Sequence, residues 1–230
     1  DKEIGRIDNS KFANVVDRYP LTDAQNKAYD EIIYNFQQKD VVLLHGVTSC
    51  GKTEIYIKLI DEAIASGKQA LFLLPEIALT TQLTTRLRRV FGEQLGIYHS
   101  KFSDNERVEV WQNMLSPEKE YKVILGVRSS IFLPFRNLGI VIVDEEHENT
   151  YKQYDPAPRY HARNAAIVLA KIHNAKVLLG SATPSIESYY LATQTKKYGF
   201  VELLTRYADI QLPEINVVDV KTERLQKKMT

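Results

Sequence analysis

Short apolar runs recur along the chain, separated by longer mixed segments: VVLLH (41–45), ALFLL (70–74), KVILGV (122–127), IVIVD (140–144) and KVLLG (176–180). Leucine and β-branched residues dominate each run, and none shows the apolar-polar alternation of a strand with one wet face, so each predicts a strand buried on both sides. The intervening TEIYIKLIDEAIASG and TTQLTTRLRRVFG are long enough for crossover helices, stopped by Gly67 and Gly92. Strand, helix, strand in repetition predicts an α/β fold, a parallel β-sheet flanked by helices on both faces. Ahead of the first run, LTDAQNKAYDEIIYNFQQ predicts a helix capped by Thr22 with Ala28, Ile32, Ile33 and Phe36 at helical spacing. Residues 1–19 lack periodicity and end at Tyr19-Pro20, where proline disfavours helix for the preceding tyrosine; they are expected to be a linker or the tail of a preceding domain. The main domain is expected over 20–205. The apolar VELL and INVVDV around Pro213 suggest an edge strand or a lead into another domain, with 206–230 the edge segment or connection.

Composition narrows this only slightly. The 230 residues are 44% hydrophobic and 26% charged, ordinary for a globular protein, which excludes disorder as the main state. No apolar run is long enough for a membrane span and the start has no signal-peptide core, so no membrane partner is expected and the location is read as cytoplasmic. One cysteine, Cys50, cannot form an internal disulfide, and no paired Cys or His spacing offers a zinc site. Thirty basic against twenty-nine acidic residues give a formal charge of +1, so whole-chain charge announces no nucleic acid. A local basic track would suffice for one, and Arg86, Arg88 and Arg89 form a candidate that could equally be a solvated helix face.

Directly after the first apolar run stands Gly46-Val47-Thr48-Ser49-Cys50-Gly51-Lys52-Thr53, followed by Glu54, a GxxxxGK[ST] phosphate loop without mismatch, between a predicted strand and a predicted helix. Its glycines let the backbone wrap closely, so that successive N–H groups and the helix N-terminus face phosphate oxygens. Lys52 can then reach the β and γ phosphates, and Thr53 can ligate Mg2+. Such a loop needs acids at the end of another buried strand, and IVIVD-Glu145 supplies them: Asp144 to hold magnesium through the second shell and Glu145 to polarise the attacking water. ATP and Mg2+ are the cofactors this P-loop NTPase reading calls for. Among the loop N–H groups the thiol of Cys50 is expected to have a lowered pKa and to be alkylated readily, with Mg-ATP protecting it.

Asp144-Glu145-Glu146-His147 resembles the tetrad that names helicase superfamily 2, and other motifs follow in that superfamily's order. Leu21-Thr22-Asp23-Ala24-Gln25 resembles its glutamine motif, Leu74-Pro75-Glu76-Ile77-Ala78-Leu79-Thr80 and Gly126-Val127-Arg128-Ser129-Ser130 its two strand-backbone motifs, and Ser181-Ala182-Thr183-Pro184 its coupling motif. GVTSCGKTEIY, LLPEIALTTQ, HSKFSDNERVEVW, GVRSSIFLPF, DEEHENTYKQ and RYHARNAA together resemble the PriA family of replication-restart helicases over residues 20–190.

The resemblance implies a first RecA-like helicase lobe. It makes Gln25 an adenine-edge ligand, Arg128 and Ser129 nucleic-acid contacts, and His147, Ser181 and Thr183 coupling residues. It also implies an aromatic-rich loop over 151–160, whose Tyr151, Tyr154 and Tyr160 can stack on bases while Lys152, Arg159 and His161 meet phosphates. The whole protein would be a 3′–5′ ATP-dependent DNA helicase that remodels stalled forks, with single-stranded and forked DNA, single-strand binding protein and primosome components as partners. This chain departs from the family in Ser49 and Cys50, where glycine then serine is usual, in the YDPAP spacer, and in Asn164, where an acid is common. It has no QxxGRxGR-like segment and none of the cysteine clusters through which the family binds zinc. A monomeric piece of a longer protein, hydrolysing little ATP alone, is therefore the expectation. Rival readings are a lobe of another superfamily 2 translocase, such as a restriction-enzyme motor, and a nucleotide-dependent scaffold that never meets DNA.

Overall fold

The first described helix, α1 (Asp23–Gln38), begins where the sequence predicts. Thr22 Oγ1 accepts from Gln25 N while Gln25 Oε1 accepts from Thr22 N at 2.9 Å, a reciprocal capping box that satisfies two donors the helix start would leave orphaned. In this computed structural model residues 18–206 are described, apart from 79, 100–101 and 117–120. Residues 1–17 of the expected linker, 207–230 of the expected edge segment, Leu79 of the LPEIALT motif, and Ser100 and Lys101 of HSKFS lie outside the described residues.

All five predicted strands form: β1 (Val41–Gly46), β2 (Gln69–Leu73), β4 (Val123–Gly126), β5 (Leu138–Asp144) and β6 (Lys176–Ser181). Two more, β3 (Leu95–Tyr98) and β7 (Gly199–Leu203), complete a sheet of order β3-β4-β2-β5-β6-β1-β7 in which every pairing is parallel. Both extra strands are edges. The four residues of β3 are too few to show a period, whereas β7 carries the apolar VELL that suggested an edge strand.

Alternate strand residues enter two cores. Val42, Leu44, Phe72 and Ile142 pack with α1, α2 (Lys52–Ala65) and α3 (Thr81–Phe91). Leu43, Leu71, Val141 and Leu179 pack instead with α4 (Asp104–Leu115), α5 (Ala162–Ile172) and α6 (Ile186–Thr193). Burial on both faces explains why the runs read as continuous apolar stretches. The glycines expected to stop α2 and α3 do so with left-handed backbones, Gly67 at φ +74° and Gly92 at φ +56°. No described helix is long and apolar enough to cross a membrane.

One topological feature positions the site. β1 lies beside β6 and β7, yet the chain leaving β1 through α2 must return in β2, on the far side of β6 and β5. The start of α2 therefore passes over the carboxyl ends of β6 and β5, the position where open parallel sheets bind ligands.

Candidate functional site

The segment between β1 and α2 is a tight loop. Val47 N donates to Leu203 O at 3.1 Å and Cys50 N to Val47 O at 3.2 Å, while Gly51 sits at φ +82°. Gly51 also makes room for Gln25, because a Cβ there would lie 2.1 Å from Gln25 Nε2. That amide donates to Cys50 O at 3.0 Å, and Gln25 Oε1 is committed to Thr22 N, so the buried glutamine clamps the loop to the start of α1. An adenine edge would have to displace the contact with Cys50 to meet Gln25. Ser49, standing where the resembled family has glycine, adopts φ +64°; a side chain in that region costs about 1 kcal/mol, so the departure carries some strain. Thr48 and Ser49 are exposed at the mouth, and Thr53 is half-buried in the first turn of α2.

Cys50 does not behave as expected. Its thiol is buried beneath the loop, where a Cβ on Gly46 would lie 2.9 Å from its Sγ. Burial pushes the thiol pKa up and outweighs the lowering by Lys52 and the loop N–H groups. Cys50 in the folded chain is expected to react with iodoacetamide at pH 7.5 at least about tenfold more slowly than in guanidinium, with nucleotide adding little protection. Mass spectrometry of timed aliquots checks this; rapid native labelling blocked by Mg-ATP would restore the expectation of a reactive thiol with a lowered pKa.

Lys52 Nζ donates to Gly46 O at 2.9 Å and stands 3.7 Å from Glu145 Oε1, which brings the loop lysine to the acids closing β5. Glu145 takes φ +46°, a left-handed turn immediately after the strand. Asp144 is bound through Oδ1 by the hydroxyl of Tyr56 at 2.8 Å. Burial, then the charge of Glu145, raises the Asp144 pKa to about 6, against the lowering by Tyr56 and Lys52. A carboxylate raised in the folded state contributes stability at acid pH that is lost as pH rises through about 6, so its ionised form is a local cost at neutrality. Such a cost is typical of a functional position. Among the described residues no three His, Cys, Asp or Glu side chains group into a metal cage. Magnesium ordinarily takes one or two carboxylates together with phosphate oxygens and water, and the hard oxygens of Asp144 and Thr53 beside Lys52 suit that role.

The SAT segment closes β6, between the strands carrying the loop and the acids. Ser181 Oγ lies 2.8 Å from His147 Nδ1 and accepts from Thr183 N at 3.0 Å; Thr183 Oγ1 is 3.4 Å from His147 Nε2. These three residues, paired from the resemblance, thus meet. The structure adds a group that sequence reasoning missed. Glu146 is 0% and Arg163 5% exposed, and Arg163 Nη1 donates to Glu146 Oε2 at 2.7 Å. The carboxylate also accepts from Ser185 N at 2.6 Å and Ser188 Oγ at 2.8 Å, while Arg163 reaches Glu187 and Asn164. Asn164, standing where an acid is common, still supplies an acceptor, 3.1 Å from Arg163 Nε. The available signal was an arginine inside the small-residue face formed by Ala162, Ala166 and Ala170.

On the opposite side of Asp144, the residues expected to meet a strand divide. Arg128 Nη1 lies 3.4 Å from the carbonyls of Thr150 and Lys152, and with Leu74, Pro75, Glu76 and Val127 it borders a small groove. Ser129 is half-buried beside it. Tyr151 is not a stacking residue: it is 1% exposed, and its hydroxyl donates to Asp144 O at 2.7 Å and to Leu73 O at 3.2 Å, tying β5 to β2. Tyr160 is half-buried edge-on against Phe132, centroids 5.0 Å apart. Lys152 Nζ donates across the loop to Arg159 O at 2.8 Å, whereas the side chains of Tyr154, 67% exposed, and Arg159 are open to solvent. His161 is half-buried, with its Nδ1 lacking a hydrogen-bond partner and its pKa lowered by burial. Nor is the arginine cluster on α3 an open basic track. Arg86 is ion-paired with Glu54, expected at the nucleotide, and lies 5.4 Å from the Tyr19 ring; burial lowers the Arg88 pKa.

A phosphate loop after one strand, acids after the strand two places away and SAT on the strand between them define a P-loop NTPase lobe of the RecA-like helicase type. The chain matches the DEAD/DEAH box helicase family over residues 22–191 and belongs to that family, which implies nucleotide use. It is 44% identical to the replication restart protein PriA of Bacillus subtilis (strain 168) over 206 residues, 89% of this chain and 25% of that protein. It is 40% identical to replication restart protein PriA of Haemophilus influenzae, over 98% of this chain and 30% of that protein. The chain therefore spans between a quarter and a third of these relatives. Among solved structures it resembles RecG bound to a three-way DNA junction, with a TM-score of 0.57 and 21% identity over 81% of this chain and 24% of that one. It also resembles the Type ISP restriction-modification enzyme LlaBIII bound to DNA, with a TM-score of 0.53 and 21% identity over 82% of this chain and 15% of that one. At these identities the two structures support the fold alone.

Proposed function

We propose that this chain is the ATP-binding lobe of a DNA helicase that restarts replication at stalled forks, acting in the cytoplasm within a protein of the PriA kind. The observation that carries the reading is the approach of Lys52 to Glu145, with Asp144 beside it, across the mouth of a loop built to wrap phosphates. In this reading Lys52 exchanges its carbonyl contact for the β and γ phosphates, and the loop N–H groups bind the remaining oxygens. Thr53 through its hydroxyl, and Asp144 through the second shell, would hold the magnesium ion, whose charge would offset that of the phosphates. Glu145 orients the attacking water and accepts its proton. His147, Ser181 and Thr183 tie the acid turn to β6, so a change at the γ phosphate reaches the segment leading to α6. Residues 20–205 form the working lobe, and a second lobe elsewhere in the protein would supply a cation to the transition state. The 230 residues alone would then turn over slowly.

DNA enters on the side of Arg128, Ser129 and the 151–160 segment, with Tyr154 and Arg159 as its outward contacts; single-strand binding protein and primosome components are partners of the whole protein. Fluorescence anisotropy of a labelled single strand at low and moderate salt tests this half of the reading. Binding is expected to weaken steeply as salt rises. Tyr154→Ala is expected to cost about tenfold in affinity through lost base stacking. Salt-independent binding, or none, would favour a scaffold that does not meet DNA.

A further inference from the structure

Asp144 is held by a side chain to which none of the readings above gives a role, although it closes the GVTSCGKTEIY segment. Tyr56 lies on the second turn of α2, fully buried, with its ring edge-on to Phe72 at a centroid distance of 5.4 Å and an interplanar angle of 73°. Its hydroxyl donates to Asp144 Oδ1 at 2.8 Å. Phenylalanine would fill the same apolar space, and a buried hydroxyl is costly unless bonded, so the oxygen is explained by its partner rather than by packing. The adjoining strand admits it. Gly180 stands in register with Asp144 on β5 and with Leu44 on β1, and a Cβ there would lie 1.8 Å from the Tyr56 oxygen. A side chain at Gly180 and a hydroxyl at Tyr56 are therefore mutually exclusive.

We infer that Tyr56 is the positioning residue for Asp144: its hydroxyl occupies Oδ1, fixing the carboxylate so that Oδ2 is presented to the magnesium shell beside the phosphate loop. Because Tyr56 sits on the helix that begins with Lys52 and Thr53, the bond makes loop and acid one rigid unit at fixed separation. Tyr151 provides a contrast, since its equally buried hydroxyl holds the main-chain oxygen of Asp144 and leaves the carboxylate alone. The inference rests on the nucleotide reading proposed above.

The test titrates Mg2+ into the 230-residue chain with a fluorescent non-hydrolysable ATP analogue, and repeats the binding in EDTA. Tyr56→Phe is expected to raise the Mg2+ concentration at half-maximal signal about tenfold, the effect of losing an outer-shell partner of a metal ligand, with metal-free affinity unchanged. Tyr151→Phe is expected to leave that half-point where it was, although it too loses a buried hydroxyl; melting curves of both variants confirm that they fold. An unshifted half-point in Tyr56→Phe, or equal shifts in both variants, would overturn the inference while leaving the nucleotide reading standing. Absence of Mg2+-dependent binding in the unsubstituted chain would instead defeat the nucleotide reading, and this inference with it.

Discussion

Lys52→Ala is expected to cost the chain about a hundredfold in affinity for Mg-ATP, the upper range for losing charge-assisted bonds to a phosphate. The fold has little stake in this side chain. Its amine contacts the Gly46 carbonyl and stands 3.7 Å from Glu145, and although the side chain is largely buried it belongs to neither apolar core. The thermal midpoint is accordingly expected to move by no more than about 4 °C. Glu145→Gln separates binding from chemistry: affinity is retained, and in the whole protein single-turnover hydrolysis falls by about a hundredfold or more, because the substituted amide cannot accept the proton of the attacking water. Titration with a fluorescent nucleotide and quenched-flow hydrolysis read the two effects. Equal affinity in Lys52→Ala and the unsubstituted chain would remove the triphosphate from this loop.

The largest loss of stability is expected elsewhere, at Arg163. Replacing it by methionine keeps much of the aliphatic bulk but leaves the Glu146 carboxylate, 0% exposed, with only neutral donors from Ser185 and Ser188. Breaking one half of a buried pair typically costs about 3–5 kcal/mol, which for a chain of this length lowers the melting temperature by about 10 °C. Removing both charges, as in Arg163→Met with Glu146→Leu, is expected to recover a substantial part of that loss, because no lone charge then remains in the interior. Thermal denaturation of the two variants checks the claim. A single variant that melts with the unsubstituted chain would mean the pair contributes nothing to holding the DEEH turn against α5 and α6.

The same pair shows how far the residues could be read in isolation. DEEH was legible as acids closing a buried strand, and RYHAR as part of a family resemblance, but nothing in either segment says that Glu146 and Arg163 meet. They are seventeen positions apart, and their partners Ser185 and Ser188 belong to a third segment. Tyr151 failed in the opposite direction. Tyrosine suits both base stacking and the capping of buried carbonyls, and composition cannot distinguish the two. Cys50 failed because the local view counts N–H groups around a thiol and omits its desolvation, which is the larger influence.

What the chain's order of residues determined unaided is whatever depends on neighbours within a few positions. The five interior strands are continuous apolar runs, the capping box at Thr22 and Gln25 spans four residues, and the phosphate loop is eight consecutive residues whose glycines and lysine do their work locally. Tertiary structure alone decided which of those pieces face one another. Crossing from β1 to β2 carries α2 over the ends of β6 and β5, so Lys52 meets Glu145, Tyr56 reaches Asp144 through the space left by Gly180, and Tyr151 turns inward. A polar side chain's role is set by the partner it finds when water is excluded, and in a parallel sheet that partner comes from another strand or helix far along the chain.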